Sequence, residues 1–176
     1  MRSKKVKRLT YIALMLAVAL ILGIVENIIP PIIPMLPMIR LGLSNVVVLF
    51  TYIAFGTMPA TVVLVTKCFL VSLFTGNFFA MAFSIPSGLI SLVIGILLIK
   101  ANKNSLIMIS SVQAIVHNAV QVVIASLVMG TAAVFVYLPY LIVIGSACGM
   151  LTGFITLLLI KKMPMKIFLT INDFDE

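Results

Sequence analysis

The chain has 176 residues, 63% of them hydrophobic and only 9% charged, with a net charge of +8. Soluble domains are about half apolar and about a quarter charged, and a fold of this size has too little interior to hide the excess. Lipid is therefore the expected solvent, and the apolar runs are too long and unbroken for barrel strands that alternate over about ten residues. Helices are what remains for satisfying a backbone in hydrocarbon. The basic residues flank apolar runs, where they set topology and meet anionic headgroups, so no nucleic-acid partner is expected.

The expected fold is an all-α membrane protein, a single domain over 1–176 made of a six-transmembrane-helix bundle. The first helix is predicted over residues 9–29. The basic start (Arg2, Lys4, Lys5, Lys7, Arg8) followed by an apolar run has the form of a signal sequence, but no small-residue cleavage site follows. The first helix is thus read as an uncleaved span that also directs insertion. Pro30, Pro31, Pro34 and Pro37 forbid helix and make 30–40 a stiff extended loop, either a connector or a lid over an outer cavity. The second helix is predicted over 41–55 and the third over 60–74, separated by Gly56 and Pro59. The fourth covers 80–99, with Pro86 and Gly88 as a predicted kink, and the fifth covers 105–127. The sixth covers 133–160, kinked at Pro139, and a short cytoplasmic tail occupies 161–176.

Six spans with the N-terminus inside put Lys100, Lys103, Lys161, Lys162 and Lys166 on the same side as the basic start, and only Arg40 on the other. This positive-inside bias predicts cytoplasmic N- and C-termini. Tyr11 then falls at the inner interface and Tyr137 and Tyr140 at the outer one. Cys68 and Cys148 lie inside predicted spans without metal-ligand spacing, and are read as small packing residues.

Polar groups at membrane depth cost several kcal/mol unless paired or hydrated, so each needs a reason. Glu26 and Asn27 lie near the outer end of the first helix, Ser44 and Asn45 near that of the second, and Lys67 near the middle of the third. Asn77 follows the third helix, and the fifth carries Gln113, His117, Asn118 and Gln121. Gln113, His117 and Gln121 repeat at i, i+4, i+8, which places them on one helix face. Four helices thus bring polar groups to the middle or outer half, whereas a continuous channel needs polar lining in both halves. An outward-facing ligand cavity is the expectation, with Lys67, His117, Asn118, Gln121, Asn45, Glu26, Asn77 and Arg40 as substrate-binding candidates. Asn27, Ser44 and Gln113 are read first as interhelical glue. Ala13 and Ala17 form a small-xxx-small pair, which on spacing alone favours packing within the bundle.

Glu26 is the only acid near the membrane, the others being Asp173, Asp175 and Glu176. Paired-carboxylate catalysis is unavailable on this reading. The chain has no nucleotide-binding G-x-x-x-x-G-K-[ST] loop, and its one histidine joins no cysteine or carboxylate cluster. Neither an enzyme, a cofactor nor a metal site is expected.

The stretch Ile39-Arg40-Leu41-Gly42-Leu43-Ser44-Asn45, the segment Leu73-Phe74-Thr75-Gly76-Asn77-Phe78 after Lys67, and Val116-His117-Asn118 through Gln121 together resemble the Gx transporter family, also labelled heptaprenyl diphosphate synthase component I. The resemblance runs from the first helix to the sixth. It implies likeness to the S components of ECF vitamin transporters, six-helix bacterial cell-membrane proteins with an outward pocket and partner subunits. By that likeness Ala13 and Ala17 would contact a transmembrane coupling subunit, ATPase subunits would supply the energy, and the loop 30–40 would cap the pocket. A flavin is a plausible ligand on the same ground. The alternative is an accessory membrane subunit of isoprenoid or quinone synthesis, although the aspartate-rich motifs of prenyl diphosphate synthases are absent.

Overall fold

No helix breaker separates the basic start from the apolar run that follows, and the helix begins correspondingly early. In a computed structural model of the chain, α1 spans Arg2–Ile28. The structure describes residues 2–28, 42–101 and 105–162. Next come α2 (Asn45–Phe55), α3 (Thr57–Thr75), α4 (Phe78–Lys100) and α5 (Leu106–Met129). A 3-10 segment, Ala132–Tyr137, leads into α6 (Leu138–Lys162). The predicted loop 30–40 lies outside the described residues, as does all of the predicted tail beyond Lys162.

Five of these segments are long and apolar enough to cross a membrane. The second helix corrects the sequence reading. It has 11 residues, about 16 Å at 1.5 Å per residue, roughly half the ~30 Å hydrocarbon core. Its late start has a local cause. Gly42 takes φ +76, a left-handed conformation that ends helical geometry, and residues 43 and 44 form a turn. At the other end Gly56 takes φ +88 and separates α2 from α3. Pro59 is then the third residue of α3, inside the first turn, where its missing N–H costs nothing.

The sixth helix is also corrected. A single kinked helix over 133–160 was expected, but Pro139 is the second residue of α6 and marks its start. α4 runs unbroken through Pro86, and Ser87 Oγ donates to the Phe83 carbonyl at 2.6 Å in the same turn.

The helices form a ring. α2 packs on α3, α3 on α4, α4 on α5, α5 on α6, and α6 closes back on α2. α1 lies outside the ring against α2 and α3. The tightest joint is α5 against α6. A Cβ on Gly149 would stand 2.5 Å from Ser111 Cα, and one on Gly153 would stand 2.7 Å from Ile107 Cα. Glycine at this spacing lets the two backbones approach, the usual device for packing helices in lipid.

Core clusters show which helix ends lie together. Phe50, Ala54 and Phe55 pack with Ile12, Met15 and Ile160, and Arg8 donates to the Phe55 carbonyl at 3.3 Å. Ala60 and Leu64 share a cluster with Leu92 and Ile96. The start of α1 and the ends of α2, α4 and α6 therefore form one end of the bundle. It carries Lys7, Arg8, Lys100, Lys161 and Lys162, while the far end carries no Lys or Arg among the described residues. Between the ends, large apolar side chains stand exposed on every long helix, such as Ile21, Phe69, Leu97, Leu127, Val143 and Phe154. A soluble monomer exposes no such continuous belt; the chain is a multi-pass membrane protein.

Candidate functional site

A helix that stops half-way leaves its continuation to be filled by something else. Above the first residue of α2 lies a cleft lined by Glu26 and Gly23 of α1 and by the Gly42–Asn45 turn. Leu64, Lys67, Cys68 and Val71 of α3, Ser84 and Gly88 of α4, and His117 of α5 are its other walls among the described residues. It holds about 410 Å³ of atom-free space counted out to its mouth. Its floor admits water-sized groups, so a guest of several fused rings would enter only with the walls spread.

Lys67 is the centre of the arrangement. It is 5% exposed and eleven residues into α3. Its ammonium donates to Ser44 Oγ and to Asn45 Oδ1, each at 2.8 Å. The way α2 starts makes both acceptors available. A Ser at an N-cap ordinarily turns its oxygen back to the first helical N–H groups. Ser44 makes no such cap. Instead Asn45, Val46 and Val47 donate to the carbonyls of Gly42, Leu43 and Ser44 at 2.9, 3.2 and 3.3 Å. The backbone satisfies itself, and both side chains turn to the lysine.

Glu26 is buried, and Oε1 accepts from the Gly42 N–H. This bond pins the turn before α2 to the far half of α1. Gly42 is tightly placed here: a Cβ would stand 2.8 Å from Asn45 Nδ2 and 3.5 Å from His117 Cδ2.

His117 is 5% exposed. Gln121 Nε2 and His117 Nε2 lie 3.2 Å apart. An amide nitrogen can only donate, which leaves the proton of the neutral ring on Nδ1. Nδ1 is buried and has no partner within hydrogen-bonding geometry. Asn118 Oδ1 is likewise buried without a partner, and buried polar atoms of this kind call for an explanation.

Of the eight binding candidates read from the sequence, Lys67, Asn45, Glu26 and His117 line the cleft. Gln121 stands behind His117, fully buried, and orients it. Asn118, consecutive with His117, does not line the cleft; it donates through Nδ2 to the Leu141 carbonyl of α6 at 3.2 Å. Asn77 also lies away from the cleft, where its Oδ1 accepts from Ala80 N at 3.0 Å and caps α4. Arg40 lies outside the described residues. Gln113 reaches Ser91 O of α4 at 3.2 Å, a bridge between helices.

Ser44, read as glue, and Cys68, read as packing, both belong to the cleft wall. Ser84 and Gly88 were missed, although Ser84, Gly88 and Ser91 at i, i+4, i+7 mark one face of small and polar residues on an apolar helix. Ala13 and Ala17 are exposed. The inner face of α1 is carried instead by Ile12, Met15, Leu16, Ala19 and Leu22, so packing within the bundle does not account for the pair among the described residues.

No curated protein and no solved structure matches the chain. A family model described as heptaprenyl diphosphate synthase component I matches residues 15–159, which takes in α5, most of α6, the half-length α2 and every described residue of the cleft. The chain belongs to that family, which is also the Gx transporter family.

Proposed function

We propose that this chain is the substrate-binding membrane subunit of a small-molecule transporter and does no covalent chemistry of its own. The observation that carries the reading is the convergence of Glu26, Asn45, Lys67 and His117 from four helices on one cleft above a half-length helix. Ionisable groups are rarely kept at membrane depth without a pathway or a ligand to serve. A broken or shortened helix whose end lies inside the bilayer is a recurrent way of building such a site.

The cleft offers an ammonium, a carboxylate, a neutral ring nitrogen and a hydroxyl. That set suits a small molecule with both donors and acceptors on one edge, such as a vitamin or a flavin-like heterocycle. With both termini in the cytoplasm, the cleft opens to the exterior. Energy for movement would come from partner ATPase subunits through a membrane coupling subunit, and the exposed Ala13 and Ala17 surface is available for that contact.

Purification in mild detergent followed by mass spectrometry tests the reading. A retained small molecule, lost in the Lys67→Ala/His117→Leu double variant, is the expected result. Recovery of the wild-type protein with neither a small molecule nor coupling subunits would sink it.

The family description favours a second reading, an accessory subunit of isoprenoid or quinone synthesis. It requires copurification with a prenyltransferase and a changed quinone pool on deletion. Unchanged quinone length and amount would remove it.

A further inference from the structure

Ser110, Gln113, Ala114 and His117 follow one another at i, i+3, i+4 and i+7 along one face of α5. That face lines two cavities. His117 belongs to the cleft, whereas Ser110, Gln113 and Ala114 line a smaller cavity with Cys148, Gly149 and Thr152 of α6. Gly42 and Asn45 are walls of both. Counted along α5 from Leu106, the second cavity lies about 5–10 Å nearer the lysine-rich end than His117.

We propose that the Gly42–Asn45 turn is a partition between two polar chambers, and that a molecule held in the cleft leaves toward the lysine-rich end past Asn45, along this face of α5. The inference rests on the transport reading above and adds the route to it. It extends the sequence reading, which set the polar groups in the middle or outer half, since Ser110 and Thr152 continue the polar lining toward the lysine-rich end.

Two features favour a movable partition over a pair of static voids. It is thin, a turn and one side chain. It is held by side-chain bonds from Glu26 and Lys67 and by i→i−3 backbone bonds, outside the regular ladder of α2. The turn can therefore shift without unwinding the helix. Below the second chamber the Ser110 and Thr152 hydroxyls meet at 2.7 Å, and the close backbone approach at Gly153 and Ile107 adds to that closure, so passage also requires α5 and α6 to part there.

The native thiols allow a test. The full chain is reconstituted in lipid vesicles, and a membrane-impermeant cationic methanethiosulfonate is added to one face or the other. In Cys68→Ala, Cys148 reports on the lower chamber. In a Cys68→Ala/Cys148→Ala background, Ser84→Cys reports on the cleft. Cys148 is expected to react about tenfold faster from the lysine-rich face than from the far face, because only a hydrated thiol yields the reactive thiolate. Asn45→Ala should raise its rate from the far face about fivefold or more, by the same dependence on hydration. Asn45→Ser, which keeps an oxygen for Lys67, serves if the alanine variant does not fold. An unreactive Cys148 from the lysine-rich face, or a far-face rate unchanged in the folded Asn45 variants, overturns the proposal. If Ser84→Cys is itself unreactive from the far face, the cleft is dry, and the binding reading falls together with the route.

Discussion

Lys67 Nζ and Asn45 Oδ1 lie 2.8 Å apart, and their bond ties the middle of α3 to the first residue of α2. A helix that starts inside a bilayer needs its polar end anchored, and a lysine at that depth needs acceptors. Each supplies what the other lacks. The two groups are adjacent because of the left-handed Gly42 and the turn that follows it.

Replacing this lysine separates binding from stability. Lys67→Met keeps much of the stem volume and removes the ammonium. Two charge-assisted bonds are lost, about 1.5–3 kcal/mol each, but the cost of burying the charge disappears as well. The expected outcome is a small change in thermal midpoint and a loss of ligand affinity of about tenfold or more, equivalent to about 1.4 kcal/mol. Ser44→Ala, which leaves Asn45 in place, should cost less. Calorimetric titration of the two variants with the retained ligand checks the order.

His117 and Asn118 are neighbours in sequence with different duties. His117→Leu should weaken ligand retention while leaving the bundle folded, because the ring lines the cleft. Asn118→Leu should lower stability by about 1–2 kcal/mol, through the lost bond to the Leu141 carbonyl and a tighter fit against Gly145. Its affinity should stay within about twofold of wild type, since the side chain faces α6 and not the cleft. Thermal unfolding and ligand titration on both variants decide the matter, and a reversed pattern would refute the assignment.

The α5–α6 joint should be the least tolerant of added volume. Gly149→Ala brings a Cβ within 2.5 Å of Ser111 Cα and 2.8 Å of Ser110 O, and backbone cannot step aside as a side chain can. A loss of about 1–3 kcal/mol follows from such overpacking. Gly145→Ala meets chiefly the movable Asn118 amide at 2.5 Å and should cost less. Unfolding midpoints in one detergent rank the two.

Topology is checked with reporters. Lys7, Arg8, Lys100, Lys161 and Lys162 share one end, and the positive-inside rule puts that end in the cytoplasm. A C-terminal fluorescent protein should therefore fluoresce and a C-terminal alkaline phosphatase should be inactive. Active phosphatase would invert the chain and place the cleft on the cytoplasmic side.

Composition and run length were enough to establish a helical membrane protein, because the cost of an unpaired backbone in lipid leaves few options. Lys67 and His117 stood out for the same reason: a buried charge or ring nitrogen is costly wherever it occurs in a span, before any packing is known. The start of α2 was not legible, since Ser44 and Asn45 read as polar groups within a helix over 41–55 and hydropathy does not register the positive φ of Gly42. Nor was the direction of each polar side chain. Asn118 is one residue from His117, about 100° round the helix, and that rotation sends it to another neighbour. Period and polarity reveal that a helix has a polar face; which neighbour receives it depends on how the ring closes. Here α6 returns to a shortened α2, and the space left beyond that helix is where Glu26, Lys67 and His117 meet. Such convergence comes from contacts between residues far apart in the chain, and local sequence carries no record of them.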